Sequence, residues 1–363
     1  MQSGYEPYIG ENIMNYKVVD FIRYYYGILA FRVEHLVNHH TYLMKIVHCP
    51  TSEFEIVVMM VNEIRILSSI SHPLFYEYVE SFVELEKGLM CAVYQYEKSM
   101  NLNEIMFRLS YNGENIIQDN MVSYLVHSAL IGKELEKYRI EMLEMDPKNL
   151  FQNSNMEIKL GCCLKFFTPA IKLRDLEAIS CDNVTAPEII VSKQYSIRTN
   201  VWHFGYVAYL ISSLKFNFQR IKTSDLKKLS PNFFKVLEKS KIRTIYEGPI
   251  FQTIWNMMQP EPETRSSWDE ILQTPEFQPA LDKIESRYPG IVERSNSKER
   301  MPLKPMIDVT KELFEINSAL FKTYGQNYTK QGVPKDPPAY LIQHQFIPPQ
   351  TTPRMPQEDD PEP

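Results

Sequence analysis

The chain has no run of about eighteen apolar residues, so no membrane-spanning helix is expected. Its N-terminal stretch, MQSGYEPYIGENIMN, is polar and lacks the apolar core of a secretory signal. The five cysteines, Cys49, Cys91, Cys162, Cys163 and Cys181, show no metal-ligand spacing. That usage suits a reduced cytosolic protein and points to no metal site. The neighbours Cys162 and Cys163 read as two small buried apolar side chains rather than a redox pair. No internal repeat is visible. A net charge of −6 argues against nucleic acid as a partner.

What is present begins with a hydrophobic fraction of 44% over 363 residues, enough for a sizeable core and terminal extensions. From Tyr16 the stretch YKVVDFIRYYYGILAFRVEH alternates apolar and polar residues, the period of antiparallel strands. Residues Leu89 to Tyr96 read as a further strand. Between Tyr138 and Phe167 a short apolar run leads into the turn Asp146-Pro147-Lys148-Asn149. Two strand-like pieces follow, Leu150-Phe151 and Glu157-Ile158-Lys159-Leu160, around Gln152–Asn155, a hairpin on spacing alone. The C-terminal part differs: half of the 24 prolines fall after Tyr288. One helix is expected there over about 308–322, with Val309, Leu313, Ile316 and Leu320 on one face and Asp308 as its cap. The rest of the tail is rich in Pro, Gln and Tyr, bears Tyr324, Tyr328, Tyr340, Leu341, Ile342, Phe346 and Ile347 as spaced anchors, and is expected to be extended.

The central segment resembles the catalytic and metal-binding loops of eukaryotic protein kinases. That family reads H-R-D-x-x-x-x-N with D-F-G thirteen residues after the Asn. Asn149 takes the Asn position, and Cys162 stands thirteen residues on. The H-R-D positions hold Met142, Leu143 and Glu144, and the D-F-G positions hold Cys162, Cys163 and Leu164. Asp146 replaces the Lys that the family sets beside the transferred phosphate. Magnesium needs hard oxygen ligands, and a thiol is a poor substitute. The glycines that let backbone N–H groups approach phosphates are replaced by Arg23, Tyr25 and Ile28, with Gly27 one place off.

The resemblance continues along about three quarters of the chain. Tyr42-Leu43-Met44-Lys45 matches the third-strand V-A-I-K motif, and Glu63 takes the place of its ion-pair partner. Ser71-His72-Pro73 follows the helix, and Tyr94 takes the gatekeeper position. Ala186-Pro187-Glu188 matches A-P-E, with Arg265 where the family has the Arg that pairs with its Glu. Asn200-Val201-Trp202-His203-Phe204-Gly205 fits D-x-W-x-x-G, with Asn for the Asp that braces the catalytic loop. Asn101-Leu102-Asn103-Glu104 and Ile158-Lys159-Leu160-Gly161 are similar to the NIMA-related (NEK) kinases.

The resemblance implies an α+β, two-lobed protein-kinase-like fold over residues 16–278, with an N-lobe of about 16–96 and a C-lobe of about 101–278. An extended N-terminal arm would occupy 1–15, and a C-terminal extension with a Pro-rich tail 279–363. With the base and metal positions altered, it implies no enzyme, but a pseudokinase scaffold acting through protein–protein interaction. No cofactor or metal is expected, and Lys45, Glu63 and Asn149 would be vestigial nucleotide-site positions. Two alternatives stand: an atypical active Ser/Thr kinase using Glu144 as base, and a nucleotide-binding module without transfer. NIMA-related kinases act at microtubules, centrosomes and cilia. Expected partners are therefore tubulin or other cytoskeletal and axonemal proteins, in the cytoplasm, with neither nucleic acid nor membrane.

Overall fold

The structure is a computed structural model that describes residues 8–25, 27–48, 54–84, 86–142, 145–161, 166–167, 186–192, 196–212, 245–297 and 300–303. Of the positions named above, Cys49, Leu143, Glu144, Cys162, Cys163, Leu164 and Cys181 lie outside the described residues. So do residues 1–7 of the expected arm, and the expected helix and tail from residue 304 on. The chain divides into two compact units: Met1–Ser52 with Phe82–Cys91 and Lys311–Pro363, and Glu53–Ser81 with Ala92–Thr310.

The first unit is built on an antiparallel meander. Strands β1 (Asn12–Ile13), β2 (Tyr16–Tyr25), β3 (Ile28–His35) and β4 (Thr41–His48) pair in sequence. With β5 (Tyr78–Glu84) and β6 (Leu89–Gln95) the sheet order is β1-β2-β3-β4-β6-β5. The alternation read over Tyr16–His35 is weak in β3, where Ile28 to Phe31 are all buried. Strand β4 is buried at every position from Tyr42 to Val47, because a central strand is covered on both faces. Phe31, Val33, Met44 and Ile46 have no exposure. Tyr16 stacks on Phe82 with ring centroids 6.1 Å apart. The described part of the expected arm packs on the sheet: Tyr8 is buried against Phe31 and β1 pairs with β2. Lys87 binds Glu11 at 2.8 Å.

The second unit is mainly helical. It contains α1 (Phe54–Ser69), α2 (Leu102–Asn112), α3 (Gln118–Lys137), α4 (Pro187–Ser192), α5 (Ile197–Ser212), α6 (Gly248–Met257), α7 (Trp268–Leu272), α8 (Gln278–Arg287) and α9 (Ile291–Asn296). Helix α3 is the axis. It is buried from Tyr124 to Leu135 and packs against α5, α7, α8 and α9. Gly132 is the point of closest approach. A Cβ there would lie 2.2 Å from the Trp268 indole, so the helices meet at this distance only because no side chain intervenes. Gly205 serves α5 in the same way, 2.6 Å from Met257.

Small strands complete this unit. β9 (Leu150–Asn153) pairs antiparallel with β10 (Ile158–Leu160) and with β7 (Ser99–Asn101). The hairpin expected around Gln152–Asn155 is therefore formed. β8 (Glu141–Met142) pairs with β11 (Phe166–Phe167). An antiparallel sheet in the N-terminal part and helices in the C-terminal part make this the α+β, two-lobed protein-kinase-like class.

The folded body runs past the expected boundary at 278. Helices α8 and α9 pack on α3, burying Leu281, Ile284 and Ile291. Arg287 and Tyr288 reach Glu157 at 2.6 and 3.1 Å. Glu157 is only 3% exposed. Burial alone would raise its carboxyl, but the hydrogen bonds from Asn153 and Arg287 outweigh that and hold it below the ordinary glutamate value.

Candidate functional site

The segment that the kinase resemblance places at the catalytic loop is held from α5. Asn200 has no exposure. Its Oδ1 accepts the Met142 backbone N–H at 2.8 Å, and its Nδ2 donates to the Ile140 carbonyl at 2.8 Å. A carboxamide is needed for this, because a carboxylate accepts but does not donate. Asn200 stands where the family has the Asp that braces the catalytic loop. In the structure it braces the backbone on both sides of Glu141. Met142 is itself buried, and pairs in register with Phe166.

Beyond the undescribed pair Leu143 and Glu144, Asp146 caps the 3-10 turn Pro147–Asn149. Its Oδ1 accepts from the Lys148 N–H at 2.8 Å. Asp146 was read as negative charge where a phosphate would sit, and here it has a local structural role. Asn149 donates its N–H to the Asp146 carbonyl at 2.8 Å and accepts at its own carbonyl from Gly161 N–H at 3.1 Å. The β9–β10 hairpin thus returns the chain from Asn149 to Gly161, beside the undescribed Cys162–Leu164. Gly161 permits this: a Cβ would lie 2.0 Å from the Tyr76 ring and 2.7 Å from Phe151.

The nucleotide-site positions are described unit by unit. On β4, Lys45 has no exposure and Leu43 is buried. At the β2–β3 turn, Tyr25 is the register partner of Ile28. Gly27, with φ of 80°, supplies the left-handed backbone of the turn. In the second unit, Glu63 on α1 and Tyr94 on β6 both have no exposure. The Tyr94 hydroxyl donates to Glu63 Oε1 at 3.0 Å. The sequence offered no signal for that bond, since it joins residues 31 positions apart that were read as parts of different features.

The ion pair expected between Glu188 and Arg265 is formed. Nη1 reaches Oε1 at 2.7 Å and Nη2 reaches Oε2 at 2.6 Å. The guanidinium also donates through Nε to the Gln259 carbonyl at 2.7 Å, and through Nη1 and Nη2 to the carbonyls of Arg198 and Pro260, each at 3.0 Å. Every donor of the guanidinium is therefore used. The group lies over the Trp202 ring at 5.2 Å, and Thr199 adds its hydroxyl to Glu188 at 2.8 Å. Burial would raise the Glu188 carboxyl. The hydrogen bonds and charge of Arg265 outweigh it and hold the carboxyl below its ordinary value. One helical turn on, His203 has no exposure, and burial pushes its pKa down to about 3.

Among the described residues no group of three or more His, Cys, Asp or Glu is placed to hold a metal ion. Lys45, Glu63 and Asn149 are the described residues that the resemblance assigns to a nucleotide.

No family model matches the chain. Curated proteins do. The serine/threonine-protein kinase Nek7 of Arabidopsis thaliana is 23% identical over 277 residues, covering 76% of this chain and 47% of its own. Nek3 of Oryza sativa subsp. japonica is 23% identical over 260 residues, covering 70% of this chain and 43% of its own. Nek8 of Danio rerio is 27% identical over 223 residues, covering 58% of this chain and 29% of its own. The chain spans less than half the length of these relatives. Their names correct one expectation. The altered loop positions implied no enzyme, whereas these relatives are all named serine/threonine-protein kinases and point to a kinase. The expectation rested on Glu144 at the base position, Cys162 at the metal position, Arg23, Tyr25 and Ile28 in place of the glycines, and Asp146 in place of the loop Lys; of these, Glu144 and Cys162 lie outside the described residues. The chain is a kinase-like protein related to the protein kinase superfamily, and within it most similar to the NIMA-related (Nek) kinases.

Proposed function

We propose that the chain works chiefly by holding other proteins, with its kinase-like body as a scaffold in a cytoplasmic microtubule or ciliary assembly. Tubulin or axonemal proteins are the partners proposed. The observation that carries this reading is the Tyr94–Glu63 hydrogen bond, because it gives the carboxylate at the ion-pair position a buried partner within its own unit. Asp146 is likewise engaged in a local cap. These groups stabilise the body, and a stable body with an exposed helix on its surface serves recognition. The NIMA-related likeness supports the setting. Crosslinking of the full chain in cells, read by mass spectrometry, tests the reading. Crosslinks to tubulin or axonemal proteins support it, and their absence counts against it.

A second reading is protein phosphorylation, the reaction in the relatives' names, with Glu144 as general base. The burial of both Lys45 and Glu63 favours it, since the family's phosphate-pairing Lys and its partner are retained in type. Transfer from labelled Mg-ATP to a protein substrate, measured beside Glu144→Ala, tests this reading. Transfer that the variant abolishes supports it. Transfer unaffected by the variant contradicts Glu144 as the base.

A further inference from the structure

Helix α2 is unusual for a helix on a folded body. Of its residues only Leu102 is buried, while Phe107 and Tyr111 are 72% and 84% exposed. Its end chemistry is correspondingly strong. Asn101 and Glu104 form a reciprocal capping box, and Gly113 closes the C-terminus in the left-handed conformation. Such caps contribute about 0.5–2 kcal/mol each. The helix is therefore held largely by its ends, which leaves its sides available. Large exposed apolar side chains of this kind mark interaction surfaces.

Two cavities adjoin along the inner side of α2, of about 510 and 520 Å³. They share Ile105, Leu109, Glu114 and Gln152, so together they form one groove. The first continues over Ile116, Met121 and Met156 and is apolar in character. The second reaches Lys98 and Arg108. Both cations are exposed, and neither makes an ion pair among the described residues. Among the described residues, Glu114 is the one carboxylate lining either cavity. Around Asn153, Glu97 is already bound to Lys159 at 2.7 Å. In a chain with net charge −6, an apolar groove with two unpaired cations and one anion selects for negative charge in its occupant.

We infer that this groove docks a protein segment of other chains in which apolar side chains are flanked by carboxylates. The apolar residues enter over Ile105 and Leu109, and the carboxylates meet Lys98 and Arg108. Phe107 and Tyr111, on the outward side of α2, extend the contact around the helix. The inference rests on the reading of the chain as a protein-binding body and names the chemistry of one partner surface.

The test titrates the full chain against two labelled peptides, followed by fluorescence anisotropy. One carries leucines flanked by glutamates, and its twin has lysine at each glutamate position. The glutamate peptide is expected to bind at least about tenfold more tightly. The double variant Lys98→Glu/Arg108→Glu, at exposed positions and with an unchanged melting temperature, is expected to reverse that preference. Ile105→Asp should abolish binding of both peptides. Equal binding of the two peptides, or no response to charge reversal, overturns the inference. So does a concentration-dependent dimer that charge reversal dissolves, because the groove is then filled by a second copy. If crosslinked partners persist in cells while neither peptide binds, the groove fails and the scaffold reading stands. If the glutamate peptide binds with the expected preference, the groove stands whichever partners are crosslinked.

Discussion

Asn200 and Met142 are joined by a hydrogen bond of 2.8 Å from the Met142 backbone N–H to the Asn200 Oδ1. The same carboxamide donates to the Ile140 carbonyl at 2.8 Å. Two buried backbone groups thus depend on one side chain that is both donor and acceptor. Asn200→Ala is expected to leave both unpaired, at about 1–3 kcal/mol for each, measured by urea denaturation. Asn200→Asp has a distinctive pH dependence. Ionised, the carboxylate accepts from Met142 but faces the Ile140 carbonyl without a proton. Protonated, it restores the donor. Burial and the facing carbonyl raise its folded pKa, so the deficit relative to wild type should shrink as pH falls. A deficit that grows on acidification contradicts the two-sided brace.

The Arg265–Glu188 pair gives a second expectation. Arg265→Ala strands a buried carboxylate that also holds Thr199, and should cost about 3–5 kcal/mol. Glu144→Ala should cost far less. Burial opposes ionisation of Glu188, but Arg265 prevails and its folded pKa is depressed. Its contribution is therefore present above the unfolded value of about 4.3 and is lost as pH falls through the lower folded value. The stability difference between wild type and Arg265→Ala should narrow over that acidic window. A difference independent of pH there contradicts the assignment.

Ending the chain at residue 278, the boundary expected from the sequence, should destabilise it. The cut removes Leu281, Ile284 and Ile291 from the core, each worth about 1.5–3 kcal/mol. It also takes Arg287 and Tyr288 from the buried Glu157. A chain ending at residue 303 should melt close to the full chain. Equal melting of the two shortened chains would show that α8 and α9 are dispensable.

The motifs that were legible in the sequence owe their legibility to local chemistry. The turn at Asp146–Asn149 and the hairpin of β9 and β10 are set by turn residues and alternating strands. Glu188 and Arg265, 77 positions apart, were recognisable only through the resemblance, at A-P-E and at the family's Arg. At Asn200 the sequence shows only an Asp-to-Asn change that removes charge, and the structure adds two backbone groups of opposite polarity on either side. Tyr94 and Glu63 meet across 31 residues, beyond any periodicity. Helices α8 and α9 lie beyond residue 278, where the resemblance ends, although they pack on α3. The docking groove was invisible for a similar reason, since Lys98, Ile105 and Met156 come from three separate elements.

Tyr94→Phe removes one hydrogen bond to the Glu63 carboxylate and should lower stability by about 1.5–3 kcal/mol. Urea denaturation measures it. An unchanged midpoint would mean that the phenol contributes nothing to holding Glu63, and would remove the main support for the scaffold reading.

The most direct test of that reading compares two variants by fluorescence microscopy in cells that express the chain. Lys98→Glu/Arg108→Glu alters the proposed docking groove, and Glu144→Ala alters the position of the candidate base. The account predicts that the groove variant leaves its microtubule or ciliary assembly while Glu144→Ala stays in place. Displacement by Glu144→Ala, with the groove variant retained, would contradict it.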